Sequence, residues 1–272
     1  MKFEEYQQKF KCEPLAETEQ SLSFLVNRKQ NKRVVKKYKS LTDKCREELA
    51  YLYLADLKVI NIPELTLVGD DFIETEFLPC IDQATTLEII SEISRLYIKT
   101  NEETSIERYF PRVDLSKSKL IHRLSYLPSE LEKRGFLDQN LLTSSEQFVD
   151  AGYINPGHKC LVHGDLKSPH IIKNKQKIYF IDLALVSIAN PWYDLAFLYM
   201  EQQDKNNFFD ELKDISLKYL GESFNSSDQE IQHYLKSAIF YRSLYNLLFA
   251  TRHRPDKTLD RTLKELKQIL DE

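Results

Sequence analysis

The chain has 272 residues, 38 basic and 42 acidic side chains, a formal net charge of −4 and 42% apolar residues, enough to bury a substantial core in one domain or two closely packed lobes. Lysines and acids are interspersed, which excludes a basic nucleic-acid stripe or a polybasic membrane patch. The longest apolar candidate, residues 179–199, is interrupted by Asp182 and Asp194, so no run approaches the roughly 20 apolar residues of a membrane span.

In chain order, residues 21–27 and 33–38 are rich in Val, Phe and Leu and are separated by the polar stretch 28–32, the pattern of a hairpin that opens an N-terminal antiparallel sheet. Thr42 and Asp43 then precede residues 45–55, whose spacing predicts a capped helix. Pro63 ends the connection, and strands follow over 65–68 and 72–77 with Gly69, Asp70 and Asp71 as the turn. Past Pro79 the spacing predicts helices over 86–100, most of 115–152 with breaks at Pro128 and Gly135, and 206–220, 228–251 and 259–270. The Tyr and Phe residues of 240–249 read as core.

One block departs from the helical pattern. Between 160 and 184, two β-branched segments, 161–162 and 177–181, flank polar loops. The expected architecture is therefore α+β: a small N-terminal antiparallel sheet with one helix over 1–79, a larger and mostly helical unit over 80–272, and a cleft between them. Cys12, Cys45, Cys80 and Cys160 stand far apart, without C-x-x-C or Cys/His metal spacing and without a secretory leader. They are expected to be small packed thiols in a reducing cytoplasm.

The chemistry lies in the segment Leu161-Val162-His163-Gly164-Asp165-Leu166-Lys167-Ser168-Pro169-His170, followed by Tyr179-Phe180-Ile181-Asp182. Each acid ends a β-branched run, so two strands would aim both carboxylates, 17 residues apart, into one site. Phosphoryl transfer needs such a pair: one carboxylate orients the attacking hydroxyl and takes its proton, and the other holds the magnesium that bridges the nucleotide phosphates.

On these residues the sequence resembles the aminoglycoside phosphotransferase and choline kinase-like family, a branch of the protein-kinase-like fold, whose catalytic loop is H-G-D-x-x-x-x-N with a later I-D. The likeness continues through Asn190-Pro191-Trp192-Tyr193-Asp194-Leu195-Ala196, close to the family's D-P-x-Y-D-L-A. It implies a two-lobed kinase-like fold that uses ATP and Mg2+ to phosphorylate a hydroxyl of a small molecule. By the same resemblance Asp165 is the catalytic base, Asp182 the metal ligand, Asp194 a structural clamp on the loop and His163 its brace. More faintly, Lys36 matches the phosphate-binding lysine, and the next helix offers Glu48 or Glu47 as its partner. Glu48 is preferred because Leu49 and Leu52 would then share its inward face. Glu76, Phe77 and Leu78 match the hinge whose backbone bonds adenine.

Three positions depart from the family pattern. His170 stands where the second metal ligand is usually Asn, and imidazole suits so hard a cation less well than an amide oxygen; packing under the loop is the other reading. The phosphate loop, residues 15–23, has no glycine in a chain with six, so its approach to phosphate needs another turn, helped by Ser21 or Ser23, with Glu17 and Glu19 pointing away. Lys167 gives an H-x-D-x-K pattern like that of Ser/Thr protein kinases, where this lysine meets the transferred phosphate. Only eleven residues separate Asp182 from Asp194, too few for a peptide-docking activation segment. The acceptor classes the family suggests are amino alcohols, sugars, aminoglycoside-like compounds and envelope saccharides; the balanced charge after Asn206 weighs against an aminoglycoside. The rival from another class is a pseudokinase, which binds nucleotide or a partner without turnover.

Overall fold

The computed structural model describes residues 1–18, 20–28, 31–101, 103–113, 117–150, 159–201, 210, 212–214, 218, 227–253 and 256–271. It is built in two lobes. The N-terminal sheet has five antiparallel strands, β1 Cys12–Glu17, β2 Ser21–Arg28, β3 Asn31–Tyr38, β4 Leu65–Val68 and β5 Phe72–Glu76, in the order β1-β2-β3-β5-β4. Two elements were not foreseen, β1 and the helix α1 Phe3–Lys9, so this lobe holds two helices. α1 lays Phe3 and Tyr6 against Phe24 and Phe72 on one face of the sheet, forming a separate small core with Val26 and Val35. Within it the fully buried Glu74 is satisfied by Tyr6, by Arg28 at 3.1 Å and by Thr66 at 2.7 Å; an acid at such depth is tolerated only when so paired.

The other helix of the lobe, α2 Leu41–Leu57, buries Lys44, Glu47, Ala50, Tyr51 and Leu54. These positions recur every three or four residues and form one stripe. Leu41 and Leu52 are exposed. The buried stripe thus carries two charges while two leucines face solvent, and apolar spacing alone gave the wrong phase for this helix.

The helical lobe begins with α3 Thr86–Thr100, whose capping box pairs Thr85 with Glu88 and satisfies two orphan donors reciprocally. It continues with α4 Lys117–Leu124, α5 Leu127–Glu132 and α6 Gln139–Asp150, then α7 Trp192–Glu201, α8 Asp228–His253 and α9 Asp256–Asp271. Pro128 sits in the first turn of α5, where its missing N–H costs nothing. Most of the helix expected over 206–220 lies outside the described residues, as does Glu19. Two short antiparallel ribbons, β6 Cys160–Val162 with β9 Ser187–Ala189 and β7 Ile171–Asn174 with β8 Lys177–Phe180, carry the polar loops. A continuous core runs from α2 and α3 through these ribbons into α7, α8 and α9.

Of the cysteines, Cys160 is buried as expected, but Cys45 and Cys80 are exposed, and all four are free thiols. No helix among the described residues is long and apolar enough to cross a membrane.

Candidate active site

A cavity of about 730 Å³ lies between the sheet and the helical lobe and is lined from both. Lys36, in the middle of β3 opposite Ser23 and Ile73, reaches into it. Its Nζ donates to Glu47 at 2.7 Å and to Asp182 at 2.7 Å, which ties sheet, helix and metal-type loop together. Burial alone would depress the ammonium pKa; the two carboxylates outweigh it and raise the pKa above the usual lysine value. Glu48 is not the partner. It pairs with Lys44 one turn back, because the inward stripe of α2 passes through 44, 47 and 51 and leaves Glu48 beside the exposed Leu52.

The catalytic-type loop hangs on Asp194. This carboxylate, fully buried in the first turn of α7, accepts the N–H groups of His163 at 2.6 Å and Gly164 at 2.8 Å and the hydroxyl of Tyr97 at 3.0 Å. Burial pushes its pKa up, with His163 and these bonds opposing. From below, Thr100 accepts the N–H of Leu161 at 2.9 Å, so α3 anchors the strand that delivers the loop. His163 is also buried, which lowers its pKa. Its Nε2 donates to the Ile181 carbonyl at 2.9 Å and its Nδ1 accepts the Asp165 N–H at 3.3 Å. A neutral imidazole thereby braces both acid-bearing segments at once.

Gly164 has a φ of +82°, and a Cβ there would lie 2.0 Å from the Leu185 carbonyl oxygen. The Gly164→Ala variant is therefore expected to lose about 2–5 kcal/mol, the sum of left-handed strain and overpacking, read as a lowered denaturant midpoint. Asp182 is likewise left-handed, with φ 60°, a conformation in which Asp is several-fold enriched.

Asp165 and Asp182 meet at His170. Its Nδ1 lies 2.9 Å from the Asp165 carbonyl oxygen, to which it donates, and its Nε2 lies 3.2 Å from Asp182 Oδ2. Burial lowers the His170 pKa, with Asp182 and Asp165 opposing. Burial acts to raise the Asp182 carboxyl, but Lys36 and His170 overcome it and hold it below the ordinary carboxylate range. Among the described residues no group of three or more His, Cys, Asp or Glu gathers as a metal site. Magnesium bound with substrate phosphates needs only one or two carboxylates from the protein, and Asp182 offers one.

Two cations hold the Asp165 carboxylate, Lys167 at 2.7 Å and Arg242 at 2.9 Å. Arg242 comes from α8, in the stretch read from the sequence as core. That stretch divides: Phe240, Tyr241, Leu244 and Leu247 are buried, whereas Arg242, Tyr245 and Phe249 line the cavity. The available signal was a lone arginine in an apolar helix, since a buried charge implies a partner. Tyr97 carried no comparable signal.

Thr18, between β1 and β2, replaces the missing glycines. Its hydroxyl oxygen accepts the N–H of Ser21 at 3.0 Å and of Gln20 at 3.3 Å, forming a tight polar turn. Ser21 is buried beside it, Ser21 and Ser23 line the cavity, and Glu17 turns outward to Lys39 at 3.2 Å. At the hinge, the N–H of Glu76 bonds the Glu64 carbonyl and that of Phe77 the Lys32 carbonyl. Glu76, Phe77 and Leu78 all line the cavity.

Comparison with known proteins agrees with this geometry. Residues 11–222 match the model of the phosphotransferase enzyme family. Among solved structures, the chain is similar to the gentamicin complex of APH(2")-IIa, with a TM-score of 0.71 and 20% identity over 98% of this chain and 96% of that one. It is also similar to macrolide 2'-phosphotransferase MphH from Brachybacterium faecium, with a TM-score of 0.70 and 14% identity over 94% and 91%. A third is the GDP complex of aminoglycoside 2'-phosphotransferase-IIIa, with a TM-score of 0.71 and 18% identity over 96% and 92%. No curated protein sequence matches. At these identities the solved structures establish a shared kinase-like fold; with a family match over most of its length, the chain belongs to the phosphotransferase enzyme family.

Proposed function

We propose that the protein transfers the γ-phosphate of ATP to a hydroxyl of a small molecule held in the cavity between its lobes. The supporting observation is the convergence of Lys36–Glu47, Asp182, His170, Asp165 and Lys167 on one cavity. In this reading residues 1–79 hold the nucleotide, and residues 80–272 supply the catalytic loop and the acceptor wall. Leu78 N–H bonds adenine beside Glu76 and Phe77, Lys36 takes the α- and β-phosphates with Glu47 holding it in place, and the Thr18–Ser21 turn covers them. Asp182, with His170 beside it, would hold magnesium, which would neutralise phosphate charge.

Asp165 orients the acceptor hydroxyl and takes its proton as the new O–P bond forms and the bond from the γ-phosphorus to the β,γ-bridging oxygen breaks. Lys167 moves from Asp165 to the migrating phosphoryl group. His163 and Asp194 keep the loop in register. A small acceptor is favoured over a peptide because residues 183–189 form only a tight turn and the strand β9, with no room for a docking segment. ATP as donor and four free thiols fit a cytoplasmic setting.

The test is magnesium-dependent appearance of a phosphate ester from ATP across a panel of hydroxyl compounds, followed by phosphorus NMR. A product is expected; tight Mg-ATP binding with neither transfer nor hydrolysis would favour the pseudokinase reading. Within the same assay Glu47→Gln is expected to lower the transfer rate about 10- to 100-fold, the equivalent of one charged hydrogen bond. Glu48→Gln, at a surface ion pair, is expected to change it by less than about 2-fold.

A further inference from the structure

The helical wall of the cavity has its own chemistry. α8 and α9 contribute Arg242, Tyr245, Asn246, Phe249, Ala250 and Thr262 to it, a set with one cation and no acid. The acids that do line the cavity, Glu47, Glu76, Asp165 and Asp182, belong to the sheet side and the catalytic loops. Arg242 is largely buried, its side chain 13% exposed. Its guanidinium lies over Phe197 at 4.7 Å and over Tyr245 at 5.4 Å. Arg123 from α4 stacks on the same Tyr245 at 5.5 Å and on Tyr241 at 4.6 Å.

Arg242 gives one Nη2–H to Asp165 and also bonds the Tyr193 hydroxyl, while its buried Nε has no partner. A guanidinium has five donors in a fixed fork. Asp165, a single negative charge, already carries Lys167, so the two cations that line the cavity beside it, Lys167 and Arg242, share one carboxylate. A cationic acceptor would meet this wall unfavourably, whereas an anion would receive charge-assisted hydrogen bonds from a guanidinium fixed by its aromatic neighbours.

We propose that the acceptor is an anionic hydroxyl compound whose carboxylate or phosphate group is bound by Arg242, and whose apolar portion lies on Tyr245 and Phe249. This rests on the phosphotransferase reading above and narrows it to one substrate class, distinct from polyamines and amino alcohols. Arg242 bonds Asp165 directly, so an anion seated on it places a neighbouring hydroxyl within reach of the catalytic carboxylate.

Three probes with the same ring and secondary alcohol separate charge from shape: mandelate, the neutral mandelamide, and the cationic 2-amino-1-phenylethanol. Binding to the full chain saturated with Mg-ADP would be followed by calorimetry, which also reports nucleotide binding independently. Mandelate is expected to bind about 10-fold or more tightly than mandelamide, the worth of a charged hydrogen bond, with the amine weakest. In the Arg242→Gln variant that advantage should fall below about 3-fold, and Arg123→Gln should reduce it partially. Equal affinities for the three probes, no mandelate binding at millimolar concentration, or a preference that survives Arg242→Gln would overturn the proposal while leaving Mg-ADP binding intact. Absence of Mg-ADP binding in the unaltered protein would instead overturn the phosphotransferase reading, and this narrowing of it with it.

Discussion

Exchange of Asp165 for asparagine is expected to lower phosphoryl transfer by about 10²- to 10⁴-fold, the usual worth of a positioned general base, with Mg-ADP affinity changed by no more than a few-fold. Asn preserves the shape of the side chain and can still accept a hydrogen bond, but it cannot take the acceptor proton. Lys167 and Arg242, which the carboxylate now holds at 2.7 Å and 2.9 Å, would lose their common anion, and both line the cavity. The nucleotide contacts proposed for Lys36, Asp182 and Leu78 would be made elsewhere. Single-turnover rates and nucleotide titration on the same preparation separate the two effects; loss of both together would indicate a collapsed loop instead of a missing base.

The second large effect is on stability. Asp194→Ala is expected to cost about 3–5 kcal/mol, because two backbone N–H groups and a tyrosine hydroxyl would be left buried without their acceptor. Against the roughly 5–15 kcal/mol that holds a domain folded, this is a substantial fraction, and the denaturant midpoint should fall accordingly. Tyr97→Phe removes only one of the three donors and should cost about 1–2 kcal/mol. Equal losses in the two variants would mean that the carboxylate is not the hub of this network.

The chemical core of the site was readable because motif spacing encodes it. His163, Asp165 and Asp182 follow directly on short strands and Asp194 opens a helix, where sequence order nearly dictates position, and the structure brings them together. The strands from 21 to 76 were equally plain, since alternating β-branched runs and a Gly-Asp-Asp turn leave little freedom. Helix phase was not. In α2 the inward stripe carries Lys44 and Glu47 while Leu41 and Leu52 face out, so an apolar criterion selected Glu48. The N-terminal α1 and β1 were missed because Cys12–Glu17 is irregular in pattern and holds Pro14, with a register shift at that point. Arg242 reaches Asp165 across 77 residues of sequence, a separation that no local motif records. The turn at Thr18 shows the reverse case: glycine was absent where a resemblance expected it, and one hydroxyl accepting two N–H groups gives a tight turn by other means.

The most direct test is a structure of the protein with magnesium and a non-hydrolysable ATP analogue. Adenine is expected against the Leu78 N–H, the α- and β-phosphates at Lys36, the metal on Asp182, and the γ-phosphate facing Asp165 and Lys167. A nucleotide bound outside this cavity, or bound within it with its terminal phosphate directed away from Asp165, would contradict it.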